Sequence, residues 1–267
     1  MRFGLTCMAV SFNILIYDYI ISRQNVKAPG SIYGDDMINE DLKNKITERL
    51  AFEGADAVYY GYLGGLLPER LQKMPYSISI LVRLSDFTAD EIINGPTKLY
   101  FHNYRTMNAV LDRMTLLAVG MLQKSVPGCN AIAVPASQTE DSDSISGLIS
   151  HKLAAVHSGA GYIGKSALFI SNEFGPAVRL ATVLTDVPLA EPVIKYSISL
   201  CGDCTLCRDA CPAGAILGNN YSEGMERSAI FDAKKCSDYM KKAYQHIGRG
   251  AVCGICIGVC PMRKKNR

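Results

Sequence analysis

The chain has 267 residues, of which 48% are apolar and 20% charged, and its formal net charge is +3. That is enough material for one large domain, or for one of ordinary size with a small companion. The composition excludes a disordered or collagen-like chain, and so small a charge gives no argument for nucleic acid.

Residues 5–21 (LTCMAVSFNILIYDYII) are mostly apolar, but Asn13 and Asp18 interrupt them. The run falls short of the roughly 20 residues that span a bilayer, so no stable membrane span is expected. No small-x-small cleavage site follows a basic start. Three readings stay open: an extra packed element, a loose membrane anchor, or a start codon placed upstream of the native one. The last is favoured, and residues 1–36 are set apart as an N-terminal extension.

Met37 opens a convincing helix to about Phe52, with Ile38, Leu42, Ile46 and Leu50 on one face. ADAVYYG reads as a short buried strand and residues 76–84 (YSISILVRL) as an alternating one. A long helix is expected over residues 97–124. Its stripe of Tyr100, Tyr104, Met107, Leu111, Met114 and Leu122 belongs to a core, and Pro127-Gly128 ends it. CNAIAVPAS is a strand running into a loop, residues 145–158 are expected to be helical, and GAGYIGKS is a glycine-rich turn. ALFIS and VRLATVLTDV are two further strands. Alternating strands and helices argue for a layered sheet covered by helices, ending in a linker near Pro188 and Pro192. The expected domains are therefore residues 37–192, a cofactor or substrate domain, and residues 193–267.

Ten cysteines are present, and eight lie between Cys201 and Cys260, while Cys7 and Cys129 stand alone. A disulfide scaffold would spread them through a small secreted domain. Packing at ligand spacing behind a cysteine-poor region points instead to a reducing, cytoplasmic compartment. The run Cys201-x2-Cys204-x2-Cys207-x3-Cys211-Pro212 has bacterial ferredoxin spacing, in which three thiolates hold one cluster and the fourth reaches the other. Pro212 should then turn the chain into a helix at AGAIL. The second set is Cys236, then Cys253-x2-Cys256-x3-Cys260-Pro261. The crossing rule assigns Cys201, Cys204, Cys207 and Cys260 to one 4Fe-4S cluster, and Cys211, Cys236, Cys253 and Cys256 to a second. Tetrahedral zinc is the rival, but it does not require two C-x3-C-P endings. The tail Arg263, Lys264, Lys265 and Arg267 reads as a solvated terminus, with a docking patch for an acidic partner or RNA as its rival.

The segment HKLAAVHSGAGYIGKSALFISNEFGPAVRLATVLTDVPL, followed by CGDCTLCRDACPAGAI, resembles epoxyqueuosine reductase. The sharpest matches are Gly161-Tyr162-Ile163-Gly164-Lys165, the LTD of Leu184 to Asp186, CGDCxxC and the displaced Cys236. The resemblance covers roughly residues 100–261, and the same architecture recurs in reductive dehalogenases. It implies an α+β protein: a nitroreductase/flavin-reductase-like α/β core followed by a ferredoxin-like domain with two 4Fe-4S clusters. It also implies a corrinoid (cobalamin) cofactor, with a flavin as the other cofactor to test, and a low-potential electron donor such as ferredoxin or flavodoxin. Three departures stand out. The family's acidic VDSAP-like strand end is Ala133-Val134-Pro135-Ala136-Ser137-Gln138 here, its CPWN is CPM, and its C-terminal helical repeats do not follow Arg267.

The expected cofactor-binding residues are Ser137, Gln138, Gly161, Gly164, Lys165 and Ser166. His102, His151, His157 and His246 are each read first as structural. His102 and His151 are the leading proton donors, with Tyr162 and Tyr104 after them. The expected function is an iron–sulfur oxidoreductase that reduces a small molecule. The alternatives are a ferredoxin-type carrier docking to another redox enzyme, and a true tRNA epoxyqueuosine reductase.

Overall fold

The computed structural model describes residues 39–137, 139–140, 145–248 and 252–264. The N-terminal extension with Cys7, Gln138 and the last three residues lie outside them, and so does the expected helix start at Met37.

Helix α1 (Glu40–Phe52) begins at Asn39, whose side chain accepts the Leu42 N–H at 2.9 Å. This satisfies one orphan amide, and Glu40 and Asp41 complement the positive helix end. Its buried face of Leu42, Ile46 and Leu50 is the one the spacing announces. Strands β1 (Ala57–Tyr62) and β2 (Tyr76–Arg83) follow, then the short α2 (Asp86–Glu91) and the long α3 (Lys98–Ser125). Thr97 caps α3 by accepting the Tyr100 N–H at 3.1 Å.

After β3 (Ala131–Val134) the expected helix over residues 145–158 is cut to α4 (His151–His157). Ser150 is its N-cap, and residues 145–150 form turns and a bridge on the approach. The glycine-rich segment contains strand β4 (Gly161–Ile163), which pairs with β5 (Phe169–Ser171) as a small hairpin. Strand β6 (Val178–Thr185) completes the main sheet in the order β1-β2-β6-β3, with every neighbour antiparallel.

Strand β2 is covered on both faces. Ile78 and Ile80 are fully buried in a core with Leu42, Ile46, Leu111, Met114, Leu122 and Val183, each such side chain contributing about 1.5–3 kcal/mol. The alternate residues Ser77 and Ser79 are small and buried, and Leu81 packs with Ala155 and Val156 of α4. Helix α4 lies so close to the sheet that a Cβ on Gly61 would stand 2.9 Å from Ser158. Asp186 anchors the far edge by accepting from the Asn130 backbone N–H at 2.9 Å and from Asn130 Nδ2 at 2.6 Å. The LTD triplet is thus a structural clamp joining β3 to β6.

The cysteine-rich part holds α5 (Leu206–Asp209), α6 (Ala233–Gly248) and α7 (Ile255–Gly258). Helices α5 and α7 sit in equivalent places, each ahead of a C-P pair, and pack on each other. The helix expected at AGAIL does not form. Ile216 bridges Phe231 instead, with Leu217 N–H donating to Ile230 O at 3.0 Å, so this stretch pairs with the chain returning toward Cys236. Helix α6 packs on α3, and α7 on α2.

Arg263 corrects the reading of the basic tail. It is 6% exposed, Nη2 donates to Gly258 O at 3.1 Å, and the guanidinium pairs with Asp90 at 2.7 Å. It is a buried strut, not a solvated end.

Candidate functional site

The eight clustered cysteines are all free thiols, and their mutual electrostatics divide them. Burial pushes the Cys260 thiol up to about 11, with Cys201, Cys207 and Cys204 adding to the rise. Cys207 is raised by burial and then by Cys201 and Cys204. Burial likewise pushes Cys236 up to about 11, helped by Cys253 and Cys211. Cys256 is raised furthest, by burial and then by Cys253 and Cys236, with smaller contributions from Cys207 and Cys211. Two neighbourhoods emerge, one of Cys260 with Cys201, Cys204 and Cys207, and one of Cys256 with Cys253, Cys236 and Cys211, and Cys207 acts on both Cys260 and Cys256. Thiolates gathered this tightly repel one another until a cationic centre neutralises them, so this donor chemistry fits metal binding coupled to proton release. Among the described residues no group of three or more metal-binding side chains converges closely enough for one bare ion.

Beside the thiols opens a cavity of about 950 Å³, at the upper end of small-molecule sites. Its walls come from Tyr104 of α3, residues 134–137, the start of α4, residues 167–169, the first residues of β6 and the loop at 221–227. Ile257 of α7, the residue after Cys256, also lines it.

Tyr104 is the phenol there whose pKa is lowered. Burial works to raise it, but Arg179 and hydrogen bonds from Ser137, Asn108 and Arg179 outweigh burial and hold it below the ordinary tyrosine value. Its hydroxyl lies 2.9 Å from Ser137 Oγ, and the Arg179 guanidinium sits 4.3 Å from the ring centroid. Asn108 steadies Arg179 by accepting from its Nε at 3.0 Å.

Lys152 was not legible as a site residue. Its Nζ donates to Ala167 O at 2.7 Å. Burial pushes its pKa down to about 8, Arg227 and Arg179 push the same way, and Cys256 opposes them. Lys152, Arg179 and Arg227 therefore form a cationic group on the cavity wall, which Glu140, Glu223 and Glu226 also line. Glu140 pairs with Arg70 at 3.0 Å, and Glu223 approaches His157 Nε2 at 3.6 Å.

The other expected residues divide clearly. Ser137 and His151 line the cavity, while His102, Tyr162, Gly161, Gly164, Lys165 and Ser166 do not. His151 has both ring nitrogens engaged. Nε2 donates to Pro135 O at 2.9 Å, which leaves Nδ1 to accept from Thr182 Oγ1 at 2.8 Å. Burial, partly opposed by the Pro135 carbonyl, lowers its pKa and keeps the ring neutral. His102 is exposed on α3. A Cβ on Gly161 would stand 2.0 Å from Ile170 O, and one on Gly164 would meet Ile170 and, at 3.4 Å, Cys201 Sγ. These glycines answer to the hairpin and to a thiol, not to a ligand in the cavity.

Residues 200–263 match a family described as a 4Fe-4S double cluster binding domain. A tetrachloroethene reductive dehalogenase from Sulfurospirillum multivorans is 36% identical over 118 residues, 42% of this chain and 23% of that protein. An epoxyqueuosine reductase from Gloeobacter violaceus is 31% identical over 170 residues, 59% of this chain and 46% of that protein. The chain spans less than half the length of these curated relatives. Among solved structures, a catabolic reductive dehalogenase in complex with 3-bromo-4-hydroxybenzoic acid aligns with TM-score 0.65 and 17% identity, over 97% of this chain and 37% of that one. An epoxyqueuosine reductase aligns with TM-score 0.56 and 19% identity, over 85% of this chain and 67% of that one. The chain is thus similar to epoxyqueuosine reductases and reductive dehalogenases, and its residues 200–263 match a double 4Fe-4S cluster domain, in line with the sequence resemblance. Among the described residues no helix is long and apolar enough to cross a membrane.

Proposed function

We propose that this protein is a cytoplasmic oxidoreductase that passes electrons from two 4Fe-4S clusters to a group held in the 950 Å³ cavity. The observation that carries this reading is a shared wall. Ile257 lines the cavity directly after the thiol of Cys256, and Lys152, which lines it too, feels that thiol. One cluster is held by Cys201, Cys204, Cys207 and Cys260, and the other by Cys211, Cys236, Cys253 and Cys256. The cysteines that raise Cys207 and Cys260, and those that raise Cys236 and Cys253, support that division. The layered part is nitroreductase/flavin-reductase-like, a reading supported by the helix-covered antiparallel sheet.

A corrinoid would meet mixed apolar and charged walls in the cavity, and the chain is similar in fold to a solved reductive dehalogenase whose structure suggests a mechanism for B12-dependent dehalogenation. Bound there, a corrinoid would supply a metal that takes electrons one at a time and attacks an electrophilic carbon. The chain's own residues do the rest. Tyr104 holds a proton at Oη, and Arg179 with Ser137 stabilises the phenolate left behind. This supplies the acid that the Val134 to Gln138 stretch lacks, since opening a polar bond needs a proton on the leaving atom. Lys152, Arg179 and Arg227 favour an anionic substrate or leaving group. A low-potential one-electron donor such as ferredoxin or flavodoxin would feed the clusters.

Anaerobic reconstitution followed by gel filtration with hydroxocobalamin or flavin mononucleotide tests the reading. The corrinoid should co-elute, and Ala136→Phe, which adds bulk at the cavity wall, should weaken this. Failure of both cofactors to co-elute would leave an electron carrier for another redox enzyme. Restoration of queuosine in tRNA from a deletion strain would establish the tRNA reaction instead. Fewer than about seven irons per chain would contradict two clusters on eight thiolates.

A further inference from the structure

Tyr162 was expected to serve catalysis, and the structure gives it other neighbours. It lies at the centre of β4, opposite Ile170 of β5, and is 2% exposed. Its hydroxyl is buried and has no hydrogen-bond partner among the described residues. A buried phenol is seldom left so, because losing water without a replacement acceptor costs stability. The charged groups it feels are thiols. Burial raises its pKa to about 12, and the contributions after burial come from Cys201, Cys260 and Cys204. The end of the same strand touches this set, since a Cβ on Gly164 would lie 3.4 Å from Cys201 Sγ. The orphaned hydroxyl therefore borders the volume that these thiols frame, and an acceptor arriving there would satisfy it.

We propose that the Tyr162 O–H donates a hydrogen bond to a sulfur of the cluster held by Cys201, Cys204, Cys207 and Cys260, and that this bond raises the reduction potential of that cluster above the value its thiolates alone would set. The proposal rests on the ligand assignment above. Reduction adds one electron to the cluster, and its charge is shared by the sulfurs. No proton is transferred; the O–H stays intact and its bond strengthens as the acceptor gains charge. Hydrogen bonds to sulfur and exclusion of solvent are recognised determinants of cluster potential, and in a dry site such a bond is stronger than in water. Tyr162 is thus a positioning and tuning residue on the electron path, not a proton donor to substrate.

The test is an anaerobic potentiometric titration of the reconstituted full chain, with the two reduced clusters resolved by electron paramagnetic resonance. Tyr162→Phe removes only the hydroxyl. Near the wild-type midpoint it should lower the reduced-to-oxidised ratio of one cluster about tenfold, which is 59 mV for one electron, and leave the other cluster in place. Replacing Tyr162 by 3-fluorotyrosine keeps the fold and strengthens the donor, so the same midpoint should move the opposite way. An unmoved midpoint in both variants would overturn the proposal, and so would equal shifts of both clusters, which would mark general repacking. Full iron loading with no shift refutes Tyr162 alone. Wild-type protein that loads fewer than about seven irons refutes the two-cluster reading itself, and this inference with it.

Discussion

Replacing Lys152 by methionine should make the protein more stable near neutral pH, even though it removes a hydrogen bond. The lysine pKa falls from 10.5 to about 8, first through burial and then through Arg227 and Arg179. At ~1.4 kcal/mol per pH unit the full lowering corresponds to ~3 kcal/mol. Lys152 borders the cavity and so is not sealed from solvent, Cys256 partly offsets the cost, and the bond to Ala167 O is worth about 1 kcal/mol. A net gain of ~1–2 kcal/mol remains, or roughly 2–8 °C in midpoint for a chain of this size. The sign with pH is fixed. Between about 8 and 10.5 the unfolded chain binds the proton that the folded one releases, so wild-type stability rises with pH through that window. The advantage of Lys152→Met should be fullest at pH 7 and smaller at pH 9. Thermal unfolding of matched anaerobic samples at one scan rate reads it. A variant that melts below wild type at both values would refute the argument and make Lys152 an ordinary stabilising contact.

Gly161→Ala should be far more damaging than its single methyl suggests. The new Cβ would stand 2.0 Å from the Ile170 carbonyl oxygen, which cannot rotate away, so a loss of ~3 kcal/mol and reduced iron retention are expected in melting and metal assays. Tyr104→Phe should remove the phenol that ionises below the ordinary value, visible as a missing early step in a phenolate absorbance titration; an unchanged early step would show that another tyrosine is responsible. Asp186→Ala removes both acceptors of Asn130 and should cost about 1–2 kcal/mol in melting experiments while leaving cofactor binding intact.

Much of the fold was legible wherever a period or a spacing carried it. The faces of α1 and α3 follow from apolar residues three and four apart, and the cysteine runs announce their own chemistry. Local signals failed where distant chain decided the outcome. The stretch after Cys211 suits a helix by composition, but pairing with residues 230–232 claims its backbone instead. The glycines of GYIGKS suggested a ligand, whereas the β5 carbonyl and the Cys201 thiol set their size. Lys152 follows a histidine at the head of a short helix, and no local pattern marks it. Its role appears only when α4 is set beside Arg179 of β6 and Arg227 of a later loop. Tyr104 was visible as one member of a core stripe, and only the fold shows that it faces the cavity.

The displaced Cys236 now has a physical explanation. A compact ferredoxin repeat would place this ligand a few residues before Cys253, with nothing in between to build on. Here the chain between Cys211 and Cys236 travels outward, and residues 221–227 become a wall of the cavity before α6 returns the cysteine to the thiols. The same excursion brings Arg227 toward Lys152, sets Glu223 beside His157, and ties the loop to residue 145 through Arg227 Nη1 and Ile145 O at 3.0 Å. The cysteine-rich part therefore also encloses the cavity that, on the proposed reading, would receive the electrons. Movement of this loop would alter the cavity's charge and its seal together, so on the proposed ligand assignment, loading of the cluster that includes Cys236 would be coupled to the shape of the cavity through one short segment of chain.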